Sequence, residues 1–395
     1  MACYANYCAR AAKLEETMAT QPRKLFEDVG EGAKTAPAPG GIDGGRKPAR
    51  QAIRIWLTLM FFMVMAMIVI GGLTRLTDSG LSITEWRPLS GALPPMTQAA
   101  WEAEFAKYQQ IPQFHLLNAD MTVDSFKFIF WWEWSHRQLG RALGLVWALG
   151  FIGFWVAKRI PPGWTGRLFS VGVLIGIQGA VGWWMVHSGL QDGMVAVASY
   201  RLATHLGLAF LTLGVMWWFF LLLARTGSDL RVAGRAQERP LFTIATVLVA
   251  LTLLQILLGA LVAGIDAGRS FPTWPLMGDS FFPPEPFSLI PGWRNFFENE
   301  GTVQFVHRSV AYLLFVVGLF VWWKTRRSPF SRTRFAANIV LAVMLVQVAL
   351  GIITVVHASP LELAILHQFG AVGLWMAAIN LRYLARYPVA DSLRG

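Results

Sequence analysis

Eight runs of predominantly apolar residues constrain the fold of this chain more than any other feature. A helix needs about 20 such residues to cross the hydrocarbon core of a bilayer, and the absence of water there requires each spanning segment to satisfy its own backbone hydrogen bonds. Only 14% of the residues are charged, against roughly 25% in soluble domains. The sequence therefore predicts an all-α integral membrane protein with eight transmembrane helices. The apolar runs lie near 53–73, 137–157, 166–186, 202–223, 241–263, 304–323, 335–356 and 361–380.

The net charge of +11 is concentrated in particular connections. Because basic connections of membrane proteins stay on the cytoplasmic side, this distribution predicts that both termini are cytoplasmic. The longer and more acidic connections 74–133 and 264–302 then face outward. Membrane topology accounts for the excess of basic over acidic residues, so nucleic-acid binding is not expected. The basic segments are Arg46–Arg54, Lys158–Arg167, Arg225–Arg239, Lys324–Arg334 and Arg382–Arg394.

The first 50 residues differ in composition from the rest of the chain. They are rich in Gly, Ala, Pro and charge, and no apolar segment of a cleavable signal precedes the first run. We predict a disordered cytoplasmic tail at 1–50. Five acidic residues between positions 15 and 31 argue against a mitochondrial transit peptide and favour a bacterial inner membrane. Both cysteines, Cys3 and Cys8, lie in this tail, so no structural disulfide is expected.

The two halves of the chain resemble each other. The segment EWSHRQLGRALGLVWALGFI matches QFVHRSVAYLLFVVGLFV, IGIQGAVGWWMVHSG matches LVQVALGIITVVHAS, and RLATHLGLAFLTLG matches LAILHQFGAVGLWM. A histidine occurs in every segment, and Gln178 corresponds to Gln347. Such a repeat predicts two pseudo-symmetric four-helix bundles, at 51–225 and 226–385, followed by a cytoplasmic tail at 386–395.

Four histidines occupy repeat-related positions: His136 and His205 in the first half, and His307 and His367 in the second. All four lie near the outward starts of their apolar runs, and we expect them within the first turn or two of their helices, at one level. Ionisable residues inside membrane spans tend to mark functional sites, and imidazole is a common ligand of heme iron. The pattern predicts two bis-histidine heme sites toward the periplasmic side; the alternative is a polar network between helices.

A single acidic residue distinguishes the two halves. Glu133 precedes His136 by three residues, whereas its counterpart in the second half is Gln304. If the helix begins early, the carboxylate and the imidazole lie on one helical face, one turn apart. We predict that Glu133 accepts a proton or stabilises positive charge. The alternative is an acidic residue that interacts with the helix dipole.

Other polar residues near the outward ends have two readings each. Guanidinium groups bind carboxylates such as heme propionates in bidentate fashion, but arginines at the rim of a membrane protein need no such partner. His187 and His357 also correspond within the repeat, and we interpret them as solvated rim residues. The candidate propionate-binding residues are Arg75, Arg87, Arg137 and Arg308.

The ordered set of motifs resembles the heme A synthase family over about residues 53–385. The motifs are GGLTRLTDSGLSITEWRPLSGALPPM, FKFIFWWEWSHRQLGR, GWWMVHSGL, HLGLAF, AGIDAGRSFPTWPLMGD, VHRSVAYLL and LHQFGA. The resemblance implies an enzyme that oxidises a methyl group of heme O to the formyl group of heme A for cytochrome oxidase. The reaction it implies is two successive hydroxylations, with water as the oxygen source.

The resemblance also implies the roles of individual residues. Substrate heme O would bind between His136 and His205, with Glu133 as the catalytic carboxylate. The cofactor heme b would bind between His307 and His367 and relay electrons. A diheme b-type cytochrome for electron transfer is the alternative function, but a pure relay does not need a carboxylate in one half only. A transporter or heme chaperone fits the repeat, but the spans are not broken at the midplane.

Partners follow from the same resemblance. Heme O synthase and cytochrome c oxidase assembly proteins are the implied protein partners, within a lipid bilayer. Another branch of the family has paired cysteines in an outward loop, and this sequence has none there. Electrons would therefore pass through the hemes to a partner such as a ferredoxin. The sequence leaves the oligomeric state open, including a homo-oligomer.

Overall fold

Eight long helices make up most of the computed structural model, which describes residues 47–88 and 90–390. Within these residues, eight helices are long and apolar enough to cross a membrane, which confirms the predicted fold class. The predicted tails, apart from their innermost residues, lie outside the described part of the chain. The helices are α1 (Lys47–Leu76), α2 (Val123–Val156), α3 (Thr165–Gly189), α4 (Ser199–Leu223), α5 (Arg239–Gly264), α6 (Glu300–Thr325), α7 (Ser331–Val356) and α8 (Leu361–Arg386).

The helices of each half make the same set of neighbour contacts. In the first half, α1 and α3 each contact both α2 and α4. In the second half, α5 and α7 each contact both α6 and α8. The halves meet through α4 with α5, α8 with α1, α4 with α8, and α1 with α5. This pattern is the one expected of two copies of a four-helix unit related by a pseudo-twofold axis.

One hydrophobic cluster extends across both halves. Met60 of α1, Leu213 of α4, Leu248 of α5 and Trp375 of α8 all belong to it and are almost completely buried. The Trp375 indole also donates a hydrogen bond of 2.9 Å to the Phe210 carbonyl oxygen of α4. The helices that line the interface between the halves therefore form a common core.

Helix α2 begins earlier than its apolar run predicts. It starts at Val123, after the side chain of Thr122 accepts a hydrogen bond from the Ser125 backbone N–H at 3.3 Å. His136 consequently lies in about the fourth turn of its helix, so its predicted place in the first turn or two is wrong. The other three histidines lie near the starts of α4, α6 and α8, as predicted.

Tertiary packing explains the early start of α2. The connection between α1 and α2 contains two short helices, Gln98–Tyr108 and Pro112–Leu117. Their apolar side chains bury the first turns of α2, and burial raises the pKa of Tyr108 above its usual value. We call this group the outer cap cluster: Leu81, Phe105, Tyr108, Ile111, Phe114, Phe126, Ile129 and Phe130.

The connection between α5 and α6 is built differently. It contains short helical pieces, including Asn295–Glu298 just before α6. We call the end of the bundles that carries this connection and the α1–α2 connection the outer end. At the opposite, inner end, a short helix at Gly227–Arg235 joins α4 to α5, with a capping box between Thr226 and Asp229.

Candidate functional site

The structure brings His136 of α2 and His205 of α4 together inside the first half. Their ring centroids are 6.4 Å apart and their planes are inclined at 59°. A metal–imidazole nitrogen bond is about 2 Å long, and the ring centre lies roughly one ångström behind that nitrogen. Two imidazoles that bind one metal in line therefore have centroids roughly 6 Å apart. The observed separation accommodates one metal ion between the rings.

Each of the four histidine rings packs against a glycine of a neighbouring helix. A methyl group would force the ring to shift at Gly71 and Gly182, and would require it to move by a few tenths of an ångström at Gly259 and Gly351. We call these residues the ring-facing glycines, and the same arrangement occurs in both halves. The distance from an added Cβ atom to the ring Cε1 would be 2.9 Å for Gly71 and His136, 2.9 Å for Gly182 and His205, 3.2 Å for Gly259 and His307, and 3.0 Å for Gly351 and His367.

Glutamines support three of the four histidines. Gln178 Nε2 donates a hydrogen bond of 3.0 Å to the His205 carbonyl oxygen and lies 3.2 Å from Nδ1 of that ring. Gln255 Nε2 repeats the arrangement at His307, with distances of 3.1 Å to both atoms.

Gln347 differs slightly, because its Nε2 donates to the His367 carbonyl oxygen at 3.0 Å without a contact to the ring. In all three glutamines the Oε1 atom is buried and has no hydrogen-bond partner in the structure. Each glutamine therefore contacts its histidine through the amide nitrogen, which is a hydrogen-bond donor.

Sequence reasoning noted Gln178 and Gln347 only as repeat partners and missed Gln255. The signal was present, because a glutamine precedes each of three ring-facing glycines by four residues, in QGAVG, QILLG and QVALG. That spacing places the glutamine and the glycine on one helical face. The fourth helix, α1, has MIVIG at the corresponding place, beginning at Met67.

Glu133 is buried, with 3% of its surface exposed. Its Oε2 atom accepts hydrogen bonds of 2.8 Å from both the Ser82 hydroxyl and the Ile83 backbone N–H. Its Oε1 atom accepts from Arg137 Nη2 at 2.6 Å and Nε at 3.1 Å. A carboxylate has about four acceptor positions, so all of them are used. Glu133 is therefore a fixed negative charge one helical turn from His136.

The corresponding place in the second half is neutral. Gln304 is 2% exposed, and its Nε2 donates a long hydrogen bond of 3.4 Å to the Phe271 carbonyl oxygen. The same carbonyl accepts a hydrogen bond of 2.8 Å from Arg308 Nη2, and the Leu276 carbonyl accepts from Arg308 Nη1 at 3.2 Å. In both halves, the side chain three residues before the histidine hydrogen-bonds to the outer connection. In the first half this side chain is the anionic Glu133, and in the second half it is the neutral Gln304.

The candidate propionate-binding arginines all have protein partners at the outer end. Beyond Glu133, Arg137 donates to the carbonyl oxygens of Ile83 and Glu85, at 2.8 and 3.2 Å. Arg75 pairs with Asp78 at 2.9 Å and with Asp266 of the second half at 2.8 Å. Arg87 pairs with Glu85 and with Glu104. These contacts fasten the outer connections, and the role in propionate binding stays a prediction.

The two remaining repeat-related histidines are exposed at the outer end. His187 stacks on Trp183, with centroids 5.9 Å apart, and lines a cavity of about 210 Å³ beside Arg137. His357 directly follows α7, and its Nδ1 contacts the Ile353 carbonyl oxygen at 2.8 Å. They lie five and six residues after their ring-facing glycines, so the two positions are not equivalent in register.

Comparison with known proteins places these features in a family. The model of the cytochrome oxidase assembly protein family matches residues 54–379. A protein of Ruegeria sp. (strain TM1040) named heme A synthase is 57% identical over 377 residues, which is 94% of this chain and 99% of that protein. Proteins with the same name from Ruegeria pomeroyi and Paracoccus denitrificans are 58% and 57% identical, each over 94% of this chain and over 99% and 98% of their own lengths. This chain therefore belongs to the cytochrome oxidase assembly protein family.

Proposed function

We propose that this protein is a heme A synthase, which oxidises the methyl group of heme O to the formyl group of heme A for cytochrome oxidase. One observation supports this function above all others: the imidazoles of His136 and His205 lie 6.4 Å apart with a buried carboxylate one turn from His136, and Gln304 stands at the corresponding place in the second half. The names of the similar proteins agree with it.

In this proposal, His136 and His205 bind the iron of the substrate heme O. The centroid separation of 6.4 Å fits one iron atom between the rings. The ring-facing glycines Gly71 and Gly182 fix where each imidazole lies, because the rings have no space to shift toward those helices. A porphyrin ring is wider than the two imidazoles that would bind its iron, so its remaining contacts would come from the apolar faces of the first bundle.

The second half is proposed to hold heme b between His307 and His367. Their donor set fits the group, because neutral imidazoles are common axial ligands of heme iron. Gly259 and Gly351 pack on these rings as their counterparts do in the first half, and Gln255 bonds to His307. When bound, heme b would accept and pass on single electrons. Among the described residues of the second half, the position that corresponds to Glu133 is occupied by the neutral Gln304.

Glu133 is proposed as the catalytic carboxylate. Conversion of a methyl group and one water molecule to a formyl group releases four electrons and four protons. Removal of electrons from the methyl carbon develops positive charge there, and a fixed anion in a dry site stabilises such charge. All acceptor positions of Glu133 are occupied. It therefore acts first through its charge, and it accepts a proton only when one of its three partners is displaced.

The proposal includes a location and partners. The basic connections between α2 and α3, α4 and α5, and α6 and α7 all lie at the inner end, which supports cytoplasmic termini in a bacterial inner membrane and heme sites toward the periplasm. The proposed structural units are the two bundles, 51–225 and 226–385.

The proposal also includes partners. Heme O synthase would supply the substrate, cytochrome c oxidase assembly proteins would receive the product, and a ferredoxin-like protein would take the electrons.

The direct test is chromatography of hemes extracted from bacteria that make heme O and have no other gene for the conversion. Cells that express the full chain should accumulate heme A, and cells with an empty vector should retain heme O. If the expressed protein contains two b-type hemes but no heme A forms, the proposed function is wrong and the protein is an electron-transferring cytochrome.

A further inference from the structure

The two histidines of the second half lie much closer to the outer end of the protein than to the inner end. His307 is the eighth residue of α6. At a rise of 1.5 Å per residue, it lies roughly 10 Å from the outer start of this helix and roughly 27 Å from its inner end. His367 is the seventh residue of α8 and lies at a similar depth. Because electron transfer slows steeply with distance, an electron held between these residues leaves fastest at the outer end.

The connection between α5 and α6 exposes a group of apolar side chains just before α6. Phe287, Ile290, Trp293 and Phe296 have exposed fractions of 61%, 87%, 59% and 48%, and we call them the outer patch. The rings of Phe287 and Phe296 are in contact, with centroids 6.1 Å apart, so the two ends of the group are neighbours in space. Contiguous apolar groups exposed on a protein surface mark interaction sites.

A buried asparagine fixes the loop that carries the outer patch. Asn295 is completely buried. Its Oδ1 atom accepts a hydrogen bond of 3.0 Å from the Leu289 backbone N–H, and its Nδ2 atom donates to the carbonyl oxygens of Leu289 and Gly292, each at 2.9 Å. The outer patch is therefore a preformed surface, which lowers the entropic cost of binding a partner.

The outer patch lies over the interface between the two halves. The Ser199 hydroxyl, at the start of α4, donates a hydrogen bond of 2.8 Å to the Phe297 carbonyl oxygen. Phe297 packs against the buried cluster that contains Ala203 of α4 and Ala260 of α5, and its ring contacts Trp293 with centroids 6.2 Å apart. Charged residues, which are costly in hydrocarbon, are interspersed with the patch in the sequence. The patch therefore faces the aqueous phase at the outer end.

The charges around the outer patch are mainly negative. Between positions 279 and 300, four residues are acidic and one is basic. The basic residue, Arg294, is paired with Glu298, which leaves an excess of negative charge. Complementary charges accelerate the encounter of two proteins and select between partners. This surface fits a partner with a basic surface, whereas the basic connections at the inner end favour the opposite charge. The four acidic residues are Asp279, Glu285, Glu298 and Glu300.

We propose that the outer patch docks the electron acceptor, a soluble one-electron carrier protein with a basic surface that approaches from the outer side. This inference rests on the proposed function and narrows its ferredoxin-like acceptor by charge and by side. In each encounter the carrier's metal centre gains one electron, the iron held by His307 and His367 changes from ferrous to ferric, and no bond forms or breaks. A small apolar patch with a charged rim suits the transient contacts of electron carriers, which bury less than about 1,200 Å².

The first experiment uses two forms of one carrier that differ in charge. Mitochondrial cytochrome c is basic, and succinylation of its lysines makes it acidic. The purified full-length protein, with heme b reduced and both faces accessible in nanodiscs, is mixed with each form in a stopped-flow instrument. At low ionic strength we expect native cytochrome c to oxidise heme b about 10-fold faster or more. The two rates should converge as salt screens the charges. Equal rates at low salt, or faster oxidation by the succinylated form, would overturn the inference.

A charge reversal beside the patch locates the docking surface. Glu285→Lys should slow oxidation by native cytochrome c several-fold at low salt and accelerate oxidation by the succinylated form. Asp120→Lys makes a matched change at an exposed position of the outer connection of the first half, and both rates should stay close to those of the unmodified protein. Equal effects of the two variants would mean that the total charge of the outer end sets the rate, and the docking surface would be wrong.

Removal of apolar side chains tests the patch itself. Trp293→Ser and Ile290→Ser should each slow oxidation by low concentrations of native cytochrome c about 10-fold, because apolar residues at the centre of an interface dominate its affinity. Leu116→Ser, at a position 65% exposed on the outer connection of the first half, should have no effect. The absorption spectrum and midpoint potential of heme b should stay unchanged in all three variants, which separates lost docking from a damaged heme site.

Unchanged rates in both patch variants would mean that the patch contacts lipid and would overturn the inference. Failure of the proposed function has a different signature. In that case heme A is absent from the cell extracts, while reduced heme b still reacts with the two forms of cytochrome c as expected.

Discussion

The two halves of this protein share a scaffold and differ around one histidine. In both halves, histidines on the second and fourth helices pack against glycines of the first and third helices. Among the described residues, only the first half has a buried carboxylate, Glu133, and its first helix has a methionine, Met67, at the position where α3, α5 and α7 have a glutamine. It also has the larger folded cap at its outer end. All three differences surround His136, which indicates that duplication kept the ligand geometry and that reactivity was added on one side.

The largest effect is expected from Glu133→Gln, which makes the first half resemble the second. Loss of the buried anion should lower heme A formation about 100-fold or more, the usual consequence of removing a group that stabilises developing charge. Binding of both hemes should persist, because Gln304 shows that a glutamine fits the equivalent place. Heme A and heme O per protein, separated by chromatography, give the measurement.

Ser82→Ala is the matched control for that variant. It removes one of the hydrogen bonds to Glu133 and leaves the charge and the pair with Arg137 in place. We expect most of the activity to remain. Full activity in Glu133→Gln would remove the carboxylate from the mechanism, and loss of bound heme in that variant would reassign Glu133 to fastening the outer connection.

A smaller effect, confined to one heme, is expected from Gly182→Ala. The new methyl group would lie 2.9 Å from Cε1 of His205, so the ring must leave its present position and the first half should lose porphyrin. Gly179→Ala, on the same helix, places its methyl group in open space and should retain both hemes, with a gain of up to about 1 kcal/mol in helix stability.

The corresponding change in the second half sharpens the comparison. Gly351→Ala brings a methyl group 3.0 Å from His367 and should remove the other heme. Heme O and heme b per chain, separated by chromatography, distinguish the three variants. Equal content in Gly182→Ala and Gly179→Ala would show that the ring-facing glycines do not fix the ligand positions.

The sequence was sufficient for those features that depend on local pattern. Run length and apolar composition predicted the eight spanning helices, and internal alignment identified the four histidines and the contrast between Glu133 and Gln304. The start of α2 at Val123 could not be predicted from the apolar pattern. The helix begins there because the outer cap cluster buries aromatic residues of its first turns, and the two helices that form this cap are short and polar.

Contacts between distant segments were also beyond the sequence. The bonds from Ser82 and Ile83 to Glu133 join residues about 50 positions apart, and no periodicity predicts them. Gln255 was missed for another reason. The repeat was aligned through the histidine-bearing segments, and α5 has no histidine, although its QILLG segment has the spacing of the other two.

The smallest effect is expected where the halves agree. Asp78 and Asp266 follow the ends of α1 and α5 with left-handed φ angles of 52° and 54°, and both pair with Arg75. Because asparagine tolerates this backbone conformation and partly exposed ion pairs contribute at most about 1 kcal/mol, Asp78→Asn and Asp266→Asn should each lower the free energy of unfolding slightly and by similar amounts. Thermal unfolding in detergent compares them. A large difference between these equivalent positions would mean that the halves respond unequally everywhere, and the contrast around His136 would then no longer identify where the chemistry takes place.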